Sequence, residues 1–414
     1  MKAGSRTVRR PTVAIVAQHF PPEGAACANR VSFFAGALRE HGFDVRVVTA
    51  TPSYPLGRTF DGYRRRPWCT ERVDGITVHR TWAYTHPDRS PGRRLLSYGT
   101  FAAGSLRWTP SVARADVVLF SSGPLFAGLL PVVAAALGRR PLVLDVRDLW
   151  PEKIWASGAA RVPRAGVAAL TAAERLLYGR ASVVLGATQG LCEVLRDRVP
   201  RGTDVVLVRN TAQRPPGGFR PPRPAGARVV VVDAGTLGWV QDPGLLLRAF
   251  ERLRARGVPA DLVVAGWGPR APEVARAVDA LPGSRFLGAL SRAALHEELA
   301  RCDIGVVALA AARHNHLAVA RRTFDYAAAG LAVVYAGDGE GADLLRAHGA
   351  GLVVPPGDAD ALAGAVSRLA VDRTLLARTK AASGRLIEGE FADAAVAERL
   401  VRTVASLCRP RVLG

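Results

Sequence analysis

QRPPGGFRPPRPAGARVVVVD, residues 213–233, divides the chain. Residues 213–227 have no apolar periodicity and are dense in proline and glycine, which fix turns and remove backbone donors, so they read as a linker. RVVVVD (228–233) follows at once, and a β-branched run of this length is the pattern of a strand buried on both faces. One folding unit therefore ends before the linker and another begins after it. A chain of 414 residues also exceeds what one hydrophobic core usually supports. The expected organisation is a first domain at 1–212, a linker at 213–227 and a second domain at 228–390, followed by a terminal segment at 391–414.

Working outward, short apolar runs alternate with longer helical patterns on both sides. Upstream lie TVAIVA (12–17), a Pro/Gly loop and a helix over 29–41, then DVRVVT (44–49) and strands at 76–80, 116–120, 141–146, 182–186 and 204–208. Downstream come ADLVVA (260–265) and strands at 285–287, 304–308, 332–336 and 351–354, with helices at 242–256 and 292–301. This alternation is the signature of α/β domains with parallel sheets covered by helices. After residue 372 the pattern is helical nearly to the end, and 392–408 is expected to pack back on the first domain.

Hydrophobic content of 49% with 22% charged residues is that of a globular protein. The formal charge of +21 comes almost wholly from arginine, since Lys2, Lys153 and Lys380 are the only lysines, and it favours anionic partners. No nucleic-acid recognition motif accompanies the arginines, so nucleic acid is not an expected partner. Five scattered cysteines without CxxC or metal spacing suit a reduced, cytosolic setting. MKAGSRTVRRP has no apolar core behind its charges and does not read as a secretory signal; FAGLLPVVAAALG (126–138) is too short to span a bilayer.

Ligands of open parallel sheets bind beyond the carboxyl ends of strands, so the loops there carry the candidates. QHFPPEG (18–24) offers Glu23 and Gly24, and RDLWPE (147–152) gathers Arg147, Asp148, Trp150 and Glu152. GTLG (235–238), GWGP (266–269) and GDGEG (337–341) follow their strands directly and allow close backbone approach to phosphate or base. The last precedes a helix over 342–347, and Glu340 would help bracket a hydroxylated group.

VARRTFDYAAAG (319–330) joins the guanidinium forks of Arg321 and Arg322, a helix starting near Thr323, and Asp325 as an acceptor for sugar hydroxyls. Its plainer reading is a surface loop entering a core helix. Asp358 and Asp360 form a DxD, but they sit where a helix needs its cap. His314 and His316 lack a third ligand, so no metal site is expected. Walker A, HExxH and GxSxG sequences are absent. Residues 89–108, basic at both ends with Leu, Tyr, Phe and Trp between, read either as an interfacial helix on anionic lipid or as an amphipathic helix covering the first sheet.

FPPEGAACANR (20–30), PSYPLG (52–57), RDLWPE, GWGP, FLG (286–288), RRTFDYAAAG, GEGADLL (339–345) and VPPGDADAL (354–362), in this order, resemble the retaining family 4 glycosyltransferases of the GT-B fold. The likeness is greatest to bacterial transferases of N-acetylated amino sugars, such as the fucosamine transferases. What the resemblance implies is two Rossmann-like domains facing across a cleft, with a nucleoside-diphosphate sugar, UDP-linked by expectation, on the second and the acceptor on the first. Arg322 takes the place of the family's lysine at the donor diphosphate, with Arg321 beside it, and Asp325 that of the glutamate at the ribose. Gly339, Glu340, Gly341 and Ala342 would hold donor sugar or phosphate, Gly24 would approach the diphosphate, and Gly238, Gly266 and Gly288 would shape the turns around the nucleotide. Arg147 and Asp148 fall beside the transferred sugar, with Glu23, Trp150 and Glu152 on the acceptor side.

The implied reaction is metal-independent transfer with retention, without a cofactor, to a hydroxyl of a small-molecule or lipid-linked acceptor. Two positions depart from the family: Leu317 stands where the first of its paired acids belongs, and Trp239, Val240 and Gln241 where a cation is expected. They motivate two alternatives, an impaired GT-B protein serving as a scaffold and a sugar-nucleotide epimerase. Arg322→Ala is expected at this stage to abolish turnover with the fold intact.

Overall fold

The computed structural model describes residues 9–24, 26–63, 66–87, 90–123, 128–149, 164–211, 227–238, 240–311 and 313–408. Trp150, Glu152, Trp239 and the linker up to residue 226 lie outside the described residues.

Strands β1 (Thr12–Val16), β2 (Asp44–Ala50), β3 (Trp68–Val73), β4 (Ile76–Thr81), β5 (Val117–Ser121), β6 (Leu142–Val146), β7 (Val183–Gly186) and β8 (Asp204–Leu207) form one sheet in the order β3-β4-β2-β1-β5-β6-β7-β8. Every pairing is parallel except β3 with β4. Strands β9 (Val229–Thr236), β10 (Ala260–Trp267), β11 (Ser284–Phe286), β12 (Ile304–Ala308), β13 (Ala332–Ala336) and β14 (Gly351–Val354) form a second, parallel sheet ordered β11-β10-β9-β12-β13-β14. The strand order turns around at β1 and again at β9, and such switch points are where open sheets leave a crevice for ligands.

The valine-rich strands β1, β5, β6 and β12 are buried throughout, because helices cover both faces. Strand β3, WCTERV, escaped the sequence reading. It is an edge strand of alternating exposure, returned to β4 by a turn in which Asp74 and Gly75 both have positive φ (48° and 77°), the geometry of a tight hairpin.

Helix α1 (Ala26–Glu40) packs Phe34 and Leu38 against β1. Helix α2 (Pro91–Ser105) buries Phe101 against the first sheet while Leu95 and Leu96 stay exposed. One face of residues 91–105 therefore covers the sheet. Asp358 caps the helix Ala359–Val371 by accepting from Ala361 N at 2.8 Å, and Asp360 pairs with Arg252 and Arg256. The DxD is thus a helix start, and no group of metal-binding side chains occurs among the described residues.

The terminal helix Asp393–Leu407 places Val396, Leu400 and Val404 in the same core as Val13, Ile15, Phe34 and Leu38. Burying each such side chain contributes about 1.5–3 kcal/mol, so the return to the first domain is a firm attachment. No helix among the described residues is long and apolar enough to cross a membrane.

Candidate functional site

On the first domain, the loop after β1 turns on Glu23. Its buried carboxylate accepts from Ser53 N and Tyr54 N, both at 2.7 Å, and lies 2.8 Å from His19 Nδ1. Glu23 thereby braces this loop against the one after β2 and holds His19 in place. Gly24 has open space around it.

Past β6, Arg147 donates to Ser122 O at 3.0 Å and lies beside Asp148 and Cys27. Burial pushes the Cys27 thiol up, but His19 and Arg147 outweigh it and hold the thiol below its ordinary range. Asp145, inside the apolar run of β6, accepts from Arg30 at 2.8 and 3.0 Å and from Ser121 Oγ at 2.8 Å. Arg30 also donates to Val208 O at 2.8 Å and Arg209 O at 3.1 Å. This buried pair ties α1 to the ends of β6 and β8; the lone acid in LVLDV was its only sign in the sequence.

On the second domain, helix α10 (Arg321–Ala328, numbering the described helices in chain order) begins two residues earlier than expected. That shift separates the two arginines. Arg322 is buried, donates to Asp233 Oδ1 and, at 3.2 Å, to Thr236 O, and lies under the Gly235 turn. Tyr326, one turn on, accepts from Ala234 N at 2.7 Å. Arg322, expected at the donor diphosphate, has its guanidinium engaged inside the domain with a carboxylate that burial pushes upward in pKa and the guanidinium holds down.

Arg321 faces the domain junction instead. With Arg30, Arg209, Arg292, Asn210 and Thr211 it lines a small pocket. Asp325 lies 3.6 Å from Arg321 Nε and 4.0 Å from Arg292 Nη2, ion-pair distances longer than hydrogen bonds.

The Gly266 and Gly288 turns meet, Gly266 N donating to Gly288 O at 2.7 Å. Gly266 has φ +157°, and a Cβ there would fall on the Gly235 carbonyl, so only glycine fits between the two turns. Gly238 is buried, facing Gln241. Gly339 has φ +82° against the His316 backbone and starts helix α11 (Glu340–His348), two residues before the expected start. Gly341 and Ala342 are buried in its first turn, Gly341 against Tyr335. A cavity of about 230 Å³ opens beside this turn between Asn315, His316, Gly337 and Asp338.

Glu340 crosses the junction. It accepts from Gln189 N at 2.9 Å, Gly190 N at 2.8 Å and Arg209 Nη1 at 3.1 Å, capping from the second domain a helix (Gln189–Arg198) of the first. Beside it Thr188 Oγ1 donates to Leu317 O at 2.6 Å, and Leu317 packs on Gly190, which gives an apolar residue at 317 an interdomain role. Tyr54 meets Trp267 edge to face at 4.7 Å across the same cleft. Bonds to a charged group contribute about 1.5–3 kcal/mol each. Glu340→Ala is accordingly expected to open the ligand-free protein, seen as a larger radius of gyration in solution scattering; an unchanged radius would remove Glu340 as the latch.

A third pocket belongs to the first domain alone. Gln18, His19, Tyr54, His86, Arg93 and Arg94 line it with residues of α2 and the loops after β2 and β4. The sequence reading missed His19, Tyr54 and Gln18, although all three sit in or beside motifs it singled out.

Residues 26–211 match the family model for a glycosyl transferase 4-like domain, and residues 228–372 the model for glycosyl transferases group 1. No curated protein sequence matches the chain. Among solved structures, a sucrose-phosphate synthase from Thermosynechococcus elongatus superposes with a TM-score of 0.75 at 16% identity, covering 96% of this chain and 99% of that one. Anabaena HepE in complex with UDP and glucose gives a TM-score of 0.68 at 16% identity, with 95% and 99% covered. An alpha,alpha-trehalose-phosphate synthase (UDP-forming) from Burkholderia vietnamiensis gives 0.64 at 13% identity, with 96% and 99% covered. At these identities the likeness is one of fold, two α/β domains in the GT-B arrangement.

Proposed function

The chain carries a glycosyl transferase 4-like domain joined to a glycosyl transferases group 1 domain, and on that premise we propose that it is a retaining glycosyltransferase acting on a UDP-linked hexose or N-acetylhexosamine. The observation that carries this reading is the pocket between the domains to which Arg292 and Arg321 contribute, with Asp325 beside them. Clustered guanidinium forks match the geometry of a diphosphate, and a carboxylate held at ion-pair distance keeps lone pairs for ribose hydroxyls. The UDP bound to HepE supports the choice of nucleotide.

The chemical problem is departure of a nucleoside diphosphate from an anomeric carbon that gains oxocarbenium character. Arg321 and Arg292 stabilise the charge growing on the leaving phosphate, and the first amides of α11 face the donor sugar at the positive end of the helix. Such preorganised charge contributes about 3–4 kcal/mol per donor group in comparable sites. The acceptor hydroxyl attacks from the face the phosphate leaves, and a leaving-phosphate oxygen takes its proton. Arg147 and His19 border the acceptor side of that point, while counter-charge comes from arginine in place of a metal.

NMR of the product formed from an α-configured UDP-sugar tests the stereochemistry. An α-linked product is expected; a β-linked product overturns retention.

A further inference from the structure

Helix α2 meets the first sheet with one face only, burying Phe101, Ala102 and Ser105. On its other face Leu96, Gly99, Ala103 and Leu106 follow one another at steps of three and four residues, the spacing of a single helix stripe, and Leu95 lies beside Leu96. Trp68 and Trp82 adjoin the far end of that stripe. Trp68 donates from Nε1 to Gly104 O at 3.2 Å, and Trp82 N donates to Pro67 O at 2.8 Å. The three leucines and two tryptophans are each between 40% and 55% exposed. Single exposed apolar residues are ordinary, but a contiguous strip of large ones marks an interaction surface.

Charge decides the occupant. Residues 89–115 hold five arginines and no Asp or Glu. Arg94 and Arg107 are exposed at the two ends of the leucine stripe, Arg66 is exposed just before Trp68, and the Arg107 guanidinium lies over the Trp68 ring at 4.9 Å. A second copy of a chain with a formal charge of +21 would bring the same cations face to face, which opposes self-association. An anionic lipid surface satisfies both halves of the pattern: leucines enter the acyl boundary, tryptophans rest at headgroup depth and arginines pair with lipid phosphates. Such a surface needs no socket, and the five apolar residues line none of the pockets described above. We infer that α2, with Trp68 and Trp82, is a docking surface for an anionic membrane, the helix lying in the plane of the interface. The inference stands apart from the glycosyltransferase reading, since it invokes neither donor nor acceptor. Ser97 and Tyr98 of the same helix line the first-domain pocket, so docking holds that pocket at the membrane surface.

Cosedimentation of the full chain with vesicles tests this. Vesicles of phosphatidylcholine alone, and of phosphatidylcholine with an equal part of phosphatidylglycerol, are compared for the wild type, for Leu95→Ser with Leu96→Ser, and for Arg107→Ser. The wild type is expected to bind the anionic vesicles at least about tenfold more tightly than the neutral ones, and less tightly as salt rises. The leucine variant should lose about tenfold on anionic vesicles, and Arg107→Ser about fivefold. All three side chains are exposed, so both variants should melt like the wild type. A readout on the unaltered leucines is tryptophan emission: brominated acyl chains in the anionic vesicles should quench it, and Trp68→Phe with Trp82→Phe should remove most of that quenching. Absent binding to anionic vesicles, equal binding to neutral ones, or binding that the leucine variant leaves unchanged overturns the inference. Self-association in sedimentation equilibrium that the leucine variant abolishes would assign the face to a second copy and overturn it equally.

Discussion

Arg322→Ala is expected to destabilise the second domain by about 3–5 kcal/mol, the cost of breaking a buried ion pair from one side. Arg322 is 8% exposed and Asp233 2%, so the orphaned carboxylate has no water to turn to. Burial already pushes the Asp233 carboxyl up, and without the guanidinium it takes a proton, which limits the cost to this range. Each kcal/mol corresponds to roughly 2–4 °C in a domain of this size, so thermal unfolding should begin on the order of 10 °C lower. Replacing both partners together, Arg322→Met with Asp233→Leu, should restore most of that loss, because an apolar pair of similar volume fills the space without charge. A single variant that melts like the wild type would show that the pair does not hold the β9 end.

The largest effect on turnover is expected at the neighbouring position. Arg321→Ala should raise the donor KM by roughly 10- to 100-fold, the consequence of losing a charged hydrogen bond of about 1.5–3 kcal/mol. The turnover number should fall as well, since charge on the departing phosphate is greatest in the transition state. Arg321 lines a pocket with Asp325 as its ion-pair partner, and that pair is longer than a hydrogen bond, so the melting temperature should hold. Steady-state kinetics over a donor concentration series reads both parameters. An unchanged donor KM would move the diphosphate away from this cavity.

The contrast between these adjacent arginines shows where sequence reasoning stops. Successive helical residues point about 100° apart, so a helix start misplaced from Arg321 to Thr323 is enough to exchange the inward and the cleft-facing side chain. The strands were legible because β-branched runs leave little choice, as in RVVVVD and TVAIVA. WCTERV was not, because an edge strand needs no apolar face and reads like a loop.

Glu340 and Glu23 stand out in the sequence as acids in loops that follow strands, but their partners were beyond reach. Glu340 bonds Gln189 and Gly190 across more than half the second domain and the linker, and Glu23 bonds the backbone of Ser53 and Tyr54, contacts that no local pattern encodes. Leu317 looked like a missing acid and is instead packed at the domain junction.

The most direct test is a calorimetric titration of the intact protein with UDP. One UDP per chain is expected, bound more weakly as salt rises because arginines carry the contact, and displaced by a UDP-sugar competing for the same cleft. A protein that binds neither UDP nor any other nucleoside diphosphate would contradict the assignment of the arginine-lined junction as a donor site.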